Sequence, residues 1–223
     1  MKERIWNTNF IFLILSNFLM YITYYAVLSA LPIYLVNDLQ ASKSQVGLVV
    51  GIYTIASVLI RPFSGFALDR FGRRTIFLLA LVLYSFFFAG YLVALSISSI
   101  ILLRFAQGMT WGITTVSGST IATDIVPASK RGEGLGYFAL STTLGMSVGP
   151  IVGLFICHQW GFPAMFVSGC IISLASFGCA YSIHLRKRFV VGKRIQLTWS
   201  SMFDKSSVLS STNVLIAMIA YGG

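Results

Sequence analysis

The stretch "GFALDRFGRR", Gly65–Arg74, puts four charged residues into six positions of a chain in which only 10% of residues are charged. Three of them, Arg70, Arg73 and Arg74, are cations; the fourth, Asp69, is a carboxylate that can pair with a cation or accept hydrogen bonds from a helix N-terminus. Gly65 lies one helical turn before Asp69, on the same face, where a second helix can approach closely. Gly72 suits a tight turn, because positive φ costs glycine little. Arg73 can reach toward a second carboxylate, and Asp124, just before "IVPASKRGEG", is the natural candidate.

Further along, "LLRFAQGMTWG" sets Arg104 inside an apolar run, with Gln107, Gly108 and Gly112 at helical spacing behind it. A buried membrane arginine costs about 2.5–3.5 kcal/mol on insertion scales, so Arg104 should face the protein interior or water. Snorkelling to the membrane edge is the other reading. In "GYFALSTTLGMSVGPIVGL", Gly145, Gly149 and Gly153 recur every four residues and form a groove. Pro150 can bend that helix, and Gly136 precedes the stripe. Asn17, Tyr21, Tyr24 and Tyr25, with Gln107 and Trp111, mix aromatic faces and hydrogen-bonding groups suited to an amphipathic organic molecule. Tyr and Trp also collect at membrane interfaces, so part of this set can be structural.

Other chemistry is disfavoured. Six acidic residues, His158 and His184 form no nucleophile, phosphate or metal pattern, so an enzyme is not expected, nor a metal or cofactor. Cys157, Cys170 and Cys179 are isolated, odd in number and placed within or beside apolar runs, which fits small packing residues. A net charge of +10 would point to nucleic acid in a soluble protein, but its distribution here does not.

Those residues must be held by membrane helices. Hydrophobic residues are 57% of the chain and mean hydropathy is +0.84. A span needs roughly 20 apolar residues, and six such runs can be drawn, at about 10–36, 45–67, 76–96, 99–122, 134–156 and 163–184. A seventh begins near Asn213 and is expected to be cut short at Gly223. The runs show no alternating polarity, which favours helices over barrel strands. The first is too long for a signal-peptide core and should stay in the membrane. Lys and Arg gather in the even-numbered loops and near the N-terminus, whereas "NDLQASKSQ", "SISS" and "CHQWGFPA" hold only Lys43. By the positive-inside rule the N-terminus is cytoplasmic. The expected organisation is a six-helix bundle over 1–185, a basic cytoplasmic linker over 186–210 and the start of a seventh helix over 211–223. Within the linker, Ile195, Trp199 and Met202 fall on one helical face that can lie on the membrane surface.

The Gly65–Arg74 segment resembles the signature loop of the major facilitator superfamily at every key position. "LLRFAQGMTWG" is similar to the superfamily's fourth-helix motif, and the Gly145–Gly153 segment to its antiporter motif, with Leu154 where a glycine is common. The twelve-helix drug:proton antiporters look like the nearest branch. The resemblance implies the all-α N-terminal half of a carrier that exports small organic compounds by alternating access, coupled to protons. It makes Arg104 a proton-coupling residue and the Asp69 loop a conformational latch against a C-terminal half absent from this chain. It also sets the glycine stripe against that other half. Helix one has no acidic residue, although several proton-coupled relatives carry one there. The competing reading is a non-transporting membrane binder, scaffold or inactive truncated carrier.

Overall fold

The computed structural model describes residues 5–94 and 96–184, and every regular element in them is helical. The helices are α1 (Thr8–Asn37), α2 (Lys43–Phe71), α3 (Arg73–Gly90), α4 (Ile97–Ile125) and α5 (Arg131–Tyr181), with a short 3₁₀ turn, Ala128–Lys130, before α5. Hydroxyl and amide caps set three of the starts. The Asn7 side chain accepts the Phe10 N–H at 2.9 Å, while Ser42 with Gln45 and Ser96 with Ser99 form reciprocal capping boxes. The expected linker, its Ile195–Trp199–Met202 face and the seventh helix lie outside the described residues.

Five helices are found where six were expected. Runs five and six are joined in α5, 51 residues that keep helical backbone through Pro150 and leave it at Gly161. There φ is 80° and ψ 175°, a left-handed value that favours glycine. A straight helix of that length would run about 77 Å, far more than a bilayer core. The break lets the chain return: Phe162 and Phe166 meet Tyr34 near the end of α1, while the Tyr181 carbonyl accepts a hydrogen bond from Arg74 at the start of α3. The two arms of α5, 131–160 and 162–181, therefore run in opposite directions along α1, where Asn17 bonds Ser141 of the first and Ser16 bonds Ser176 of the second.

α1 packs mainly on α5, α2 on α4, and α3 on both α4 and α5. Two seams of glycine make the closest approaches. A Cβ on Gly108 or Gly112 would strike the Tyr53 or Ser57 carbonyl of α2. A Cβ on Gly145, Gly149 or Gly153 would lie 2.6 Å from Tyr21, Tyr25 or Ala26 of α1. The core between the seams is filled by buried residues such as Leu13, Leu31, Leu81, Phe88, Ile100 and Phe166.

By length and composition α1, α2, α3 and the Ala128–Tyr181 segment can each cross a membrane. α4 is as long but is diluted by hydroxyl residues. Thr114, Thr115, Ser117, Ser119, Thr120 and Thr123 each donate to a carbonyl three or four residues back in their own helix. That back-bonding satisfies the hydroxyls without any partner from another helix.

Candidate functional site

At one end of the bundle α2 stops and α3 starts on a single residue. Gly72 has φ 91° and donates its N–H to the Leu68 carbonyl at 3.1 Å. The tight turn read from the sequence is there, and it throws Arg73 into the first turn of α3. Its guanidinium pairs with Asp124 of α4 and stands 3.9 Å from Asp69 of α2. Side-chain exposures of 33%, 44% and 30% for Arg73, Asp69 and Asp124 leave the cluster open to screening. Such pairs are typically worth about 0–1 kcal/mol, so the contact is cheap to open. Arg74 donates to the Tyr181 carbonyl at 2.7 Å with its guanidinium carbon 5.4 Å from that ring's centre, and Arg70 lies over Phe66 and Phe71. Gly65 behaves differently: a Cβ there would meet nothing within 4 Å, so among the described residues no helix uses the close approach it offers.

Deeper in the bundle the electrostatics reverse. Arg104 is only 1% exposed, which places it inside the protein. Its guanidinium carbon lies 5.1 Å from the centre of the Tyr53 ring and 5.9 Å from that of Tyr91. Cation–π attraction of this kind is worth about 2 kcal/mol when desolvated. Nε and Nη2 of Arg104 have no hydrogen-bond partner, and neither do the Tyr53 hydroxyl and Nε2 of Gln107. Oε1 of Gln107 accepts from the Tyr91 hydroxyl at 2.8 Å. The four described carboxylates, Asp38, Asp69, Asp124 and Glu133, all stand at or near helix ends, so none faces this cation.

Next to Arg104 is an aromatic stack. Trp111 lies parallel to Tyr24 at 4.4 Å and edge-on to Tyr21 at 4.9 Å; Tyr24 in turn stacks on Tyr53 at 5.1 Å and meets Tyr25 edge-on at 4.8 Å. The structure thus brings Tyr21, Tyr24, Tyr25 and Trp111 together. Asn17 is otherwise engaged: it is buried and its amide donates to Ser141 at 2.9 Å and Thr142 at 3.0 Å, cross-linking α1 to α5. It belongs to the framework rather than to an open binding surface. Tyr53, Tyr84 and Tyr91 were missed by the sequence reading. The signal was available, a tyrosine on each of two helices flanking an intramembrane arginine, but nothing in one sequence says which faces converge. An apolar groove of about 150 Å³ between α2 and α3 contains none of these groups, and Ser64 is its one polar side chain.

The glycine stripe requires a correction. It was expected to meet the other half of a carrier, yet Gly145, Gly149 and Gly153 are filled by α1 of the same bundle, with the carbonyl oxygens of Phe18, Ile22 and Ala26 at 2.7–3.1 Å from the added Cβ positions. Gly136 is exposed and outside the seam.

Residues 13–223 match the family model of the Major Facilitator Superfamily. The chain belongs to that superfamily. Its curated relatives include the MFS antiporter QDR3 of Candida albicans, 33% identical over 151 residues, or 64% of this chain and 21% of that protein. Another is the quinolone resistance protein NorA of Staphylococcus aureus, 27% identical over 171 residues, or 77% of this chain and 44% of that protein. The chain therefore spans less than half the length of either. Among solved structures, the human organic anion transporter MFSD10 superposes with a TM-score of 0.67 at 16% identity over 78% of this chain and 46% of its own. The POT family transporter PepTSo superposes with 0.71 at 14% over 79% and 37%. At these identities the two share the fold. The superfamily is one of multi-pass membrane transporters, and the relatives named an antiporter and a quinolone resistance protein agree with the branch that the motifs resemble.

Proposed function

We propose that this chain is the N-terminal half of a secondary carrier that moves small organic compounds out of the cell by alternating access, driven by protons. The two arms of α5 serve as two crossings, which with α1–α4 makes six. The N-terminus and the Gly72 end are cytoplasmic, the partner half being a C-terminal bundle.

The observation that carries this reading is Arg104. A scaffold has no need of an uncompensated guanidinium buried among aromatic rings. A carrier can use one, because a fixed buried cation changes the proton affinity of an acid brought to it by the other half and so can link protonation to conformation. The Asp69–Arg73–Asp124 cluster supplies the second requirement, a weak, resettable contact at the bundle end. Asp69 is placed to accept from a helix N-terminus of the other half when the cytoplasmic side closes. Efflux from cells or vesicles carrying the full-length protein, with and without a proton uncoupler, tests the proposal. Uncoupler-sensitive efflux is the expected result. Wild-type protein that binds organic compounds without moving them would replace the carrier by a binder.

A further inference from the structure

The groove between α2 and α3 has no place in the reading above. Its α2 wall is Ile60, Phe63 and Ala67, and its α3 wall is Ile76, Leu79 and Leu83, with Ile113 of α4 on the inner side. Ser64, the one polar side chain, donates to the Ile60 carbonyl at 2.9 Å and so offers nothing outward. Phe63 and Leu79 are each more than half exposed, which leaves the groove open to what surrounds the bundle. Both helices are long and apolar enough to cross a membrane, so in a transporter of this superfamily those surroundings are lipid.

The two walls run in register toward the Gly72 turn. Positions 60, 63 and 67 of α2 continue, at the same three- and four-residue steps, to Arg70 and Phe71. Positions 83, 79 and 76 of α3 continue to Arg73 and Gly72. The apolar strip therefore ends in cations. Arg73 is already engaged by Asp124 and Asp69. Arg70 is exposed, and its guanidinium carbon lies 5.8 Å from the centre of the Phe66 ring and 5.5 Å from that of Phe71. Among the described residues no carboxylate or other acceptor meets it. Ring contacts use the face of a guanidinium and leave its N–H groups, which lie in the plane, to an acceptor from outside. Residues 69–74, 124 and 130–133, all at this end, hold five cations against three carboxylates, an excess of two positive charges.

Length sets the form of the occupant. Ile60 and Arg70 are ten residues apart in α2, about 15 Å along the axis, and half of a hydrocarbon core is also about 15 Å. We infer that the α2–α3 groove seats one acyl chain of an anionic phospholipid, with the headgroup phosphate held by Arg70. The site depends on the membrane and not on what the protein transports. A phosphate accepts the paired N–H groups of an arginine in two parallel hydrogen bonds. The positive excess at this end favours lipids of net negative charge over neutral ones.

The full-length carrier in phosphatidylcholine nanodiscs, doped with a phospholipid brominated on its acyl chain, tests this. Phe63→Trp is the reporter in the groove; Phe86→Trp, exposed on α3 outside the groove, is the control. Bromine quenches tryptophan at short range, and each variant is read against its parent. Brominated phosphatidylglycerol is expected to bind at Phe63→Trp about fivefold more tightly than brominated phosphatidylcholine, the gain for one cation facing anionic lipid. Phe86→Trp should show no preference. Adding Arg70→Gln to the groove reporter should abolish the preference, while Arg70→Lys should keep part of it. Adding Ala67→Leu, which fills the groove, should weaken quenching by both lipids. Equal binding of the two lipids at Phe63→Trp would overturn the inference, as would a preference that survives Arg70→Gln. The same preference at Phe86→Trp would overturn it too, by showing bulk attraction to a basic surface. Quenching by neither lipid would give the groove to a protein segment of the other half or of a second copy.

Discussion

The two charged regions of this bundle obey opposite rules. At the Gly72 end, cations and carboxylates alternate, pair and stay partly wet: Arg73 has Asp124 on one side and Asp69 on the other. Around Arg104 no described carboxylate is near, the side chain is 1% exposed, and tyrosine rings take the place of counter-ions. The first arrangement is cheap to open, since solvent replaces whatever is lost. The second is costly to hold, since each unpartnered buried donor costs about 1–3 kcal/mol. A contact that opens easily suits the first environment and a fixed charge the second, which is how the proposed function uses them.

Breaking the interior should have the largest effect. Arg104→Ala in the full-length carrier is expected to reach the membrane yet lose uncoupler-sensitive efflux down to background. Normal efflux with that variant would mean the buried cation is packing material. Next in size is the α1–α5 seam. Gly149→Leu places atoms where the Ile22 carbonyl and the Tyr25 Cβ already stand at 2.9 and 2.6 Å. Overpacking of this kind costs typically 1–3 kcal/mol and more where backbone must move. Reduced membrane abundance is therefore expected even in the 223-residue chain, whereas Gly136→Leu should leave abundance unchanged. Equal abundance of the two variants would return the seam to a partner outside this bundle.

The wet end should respond more mildly. Asp69→Asn and Arg73→Ala are each expected to keep normal abundance and to slow transport about tenfold, corresponding to about 1.4 kcal/mol in the balance between inward and outward states. Wild-type efflux by Asp69→Asn would reduce the cluster to topology charges, because positive-inside ignores acids. The smallest change is Asn17→Ala, which removes two hydrogen bonds between α1 and α5. A lowered melting temperature is expected, reflecting about 1–2 kcal/mol, with substrate affinity unchanged. A changed affinity at constant stability would move Asn17 back into a binding surface.

Local features were the legible ones. Gly72 could be read as a turn because positive φ is a demand on one residue, and Arg73 with Asp124 because both stand at helix termini on the same side. The seams were half legible. Glycines four apart announce a groove, but periodicity is a property of one helix and does not name its occupant, so α1 was not foreseen. The break between runs five and six was legible in "CHQWGFPA", but its extent was not: only Gly161 leaves helical backbone, so the two runs stay joined in α5. The aromatic cage of Arg104 depends on the rotation of three helices about their axes, which no linear pattern encodes.

The self-satisfied hydroxyls of α4 bear on how the protein is made. Each Thr and Ser that bonds back to its own helix hides its polarity only after that helix has formed, and the segment also carries Arg104. A nascent chain leaving the translocation channel sideways gains less from lipid at α4 than at α1, α2 or α3. The Gly108–Gly112 notch that receives the α2 backbone offers the missing partner, and α2 is synthesised earlier. Insertion of the fourth segment is then a docking event onto a helix already in place, so chains shortened to begin after α2 should leave α4 stranded at the membrane surface.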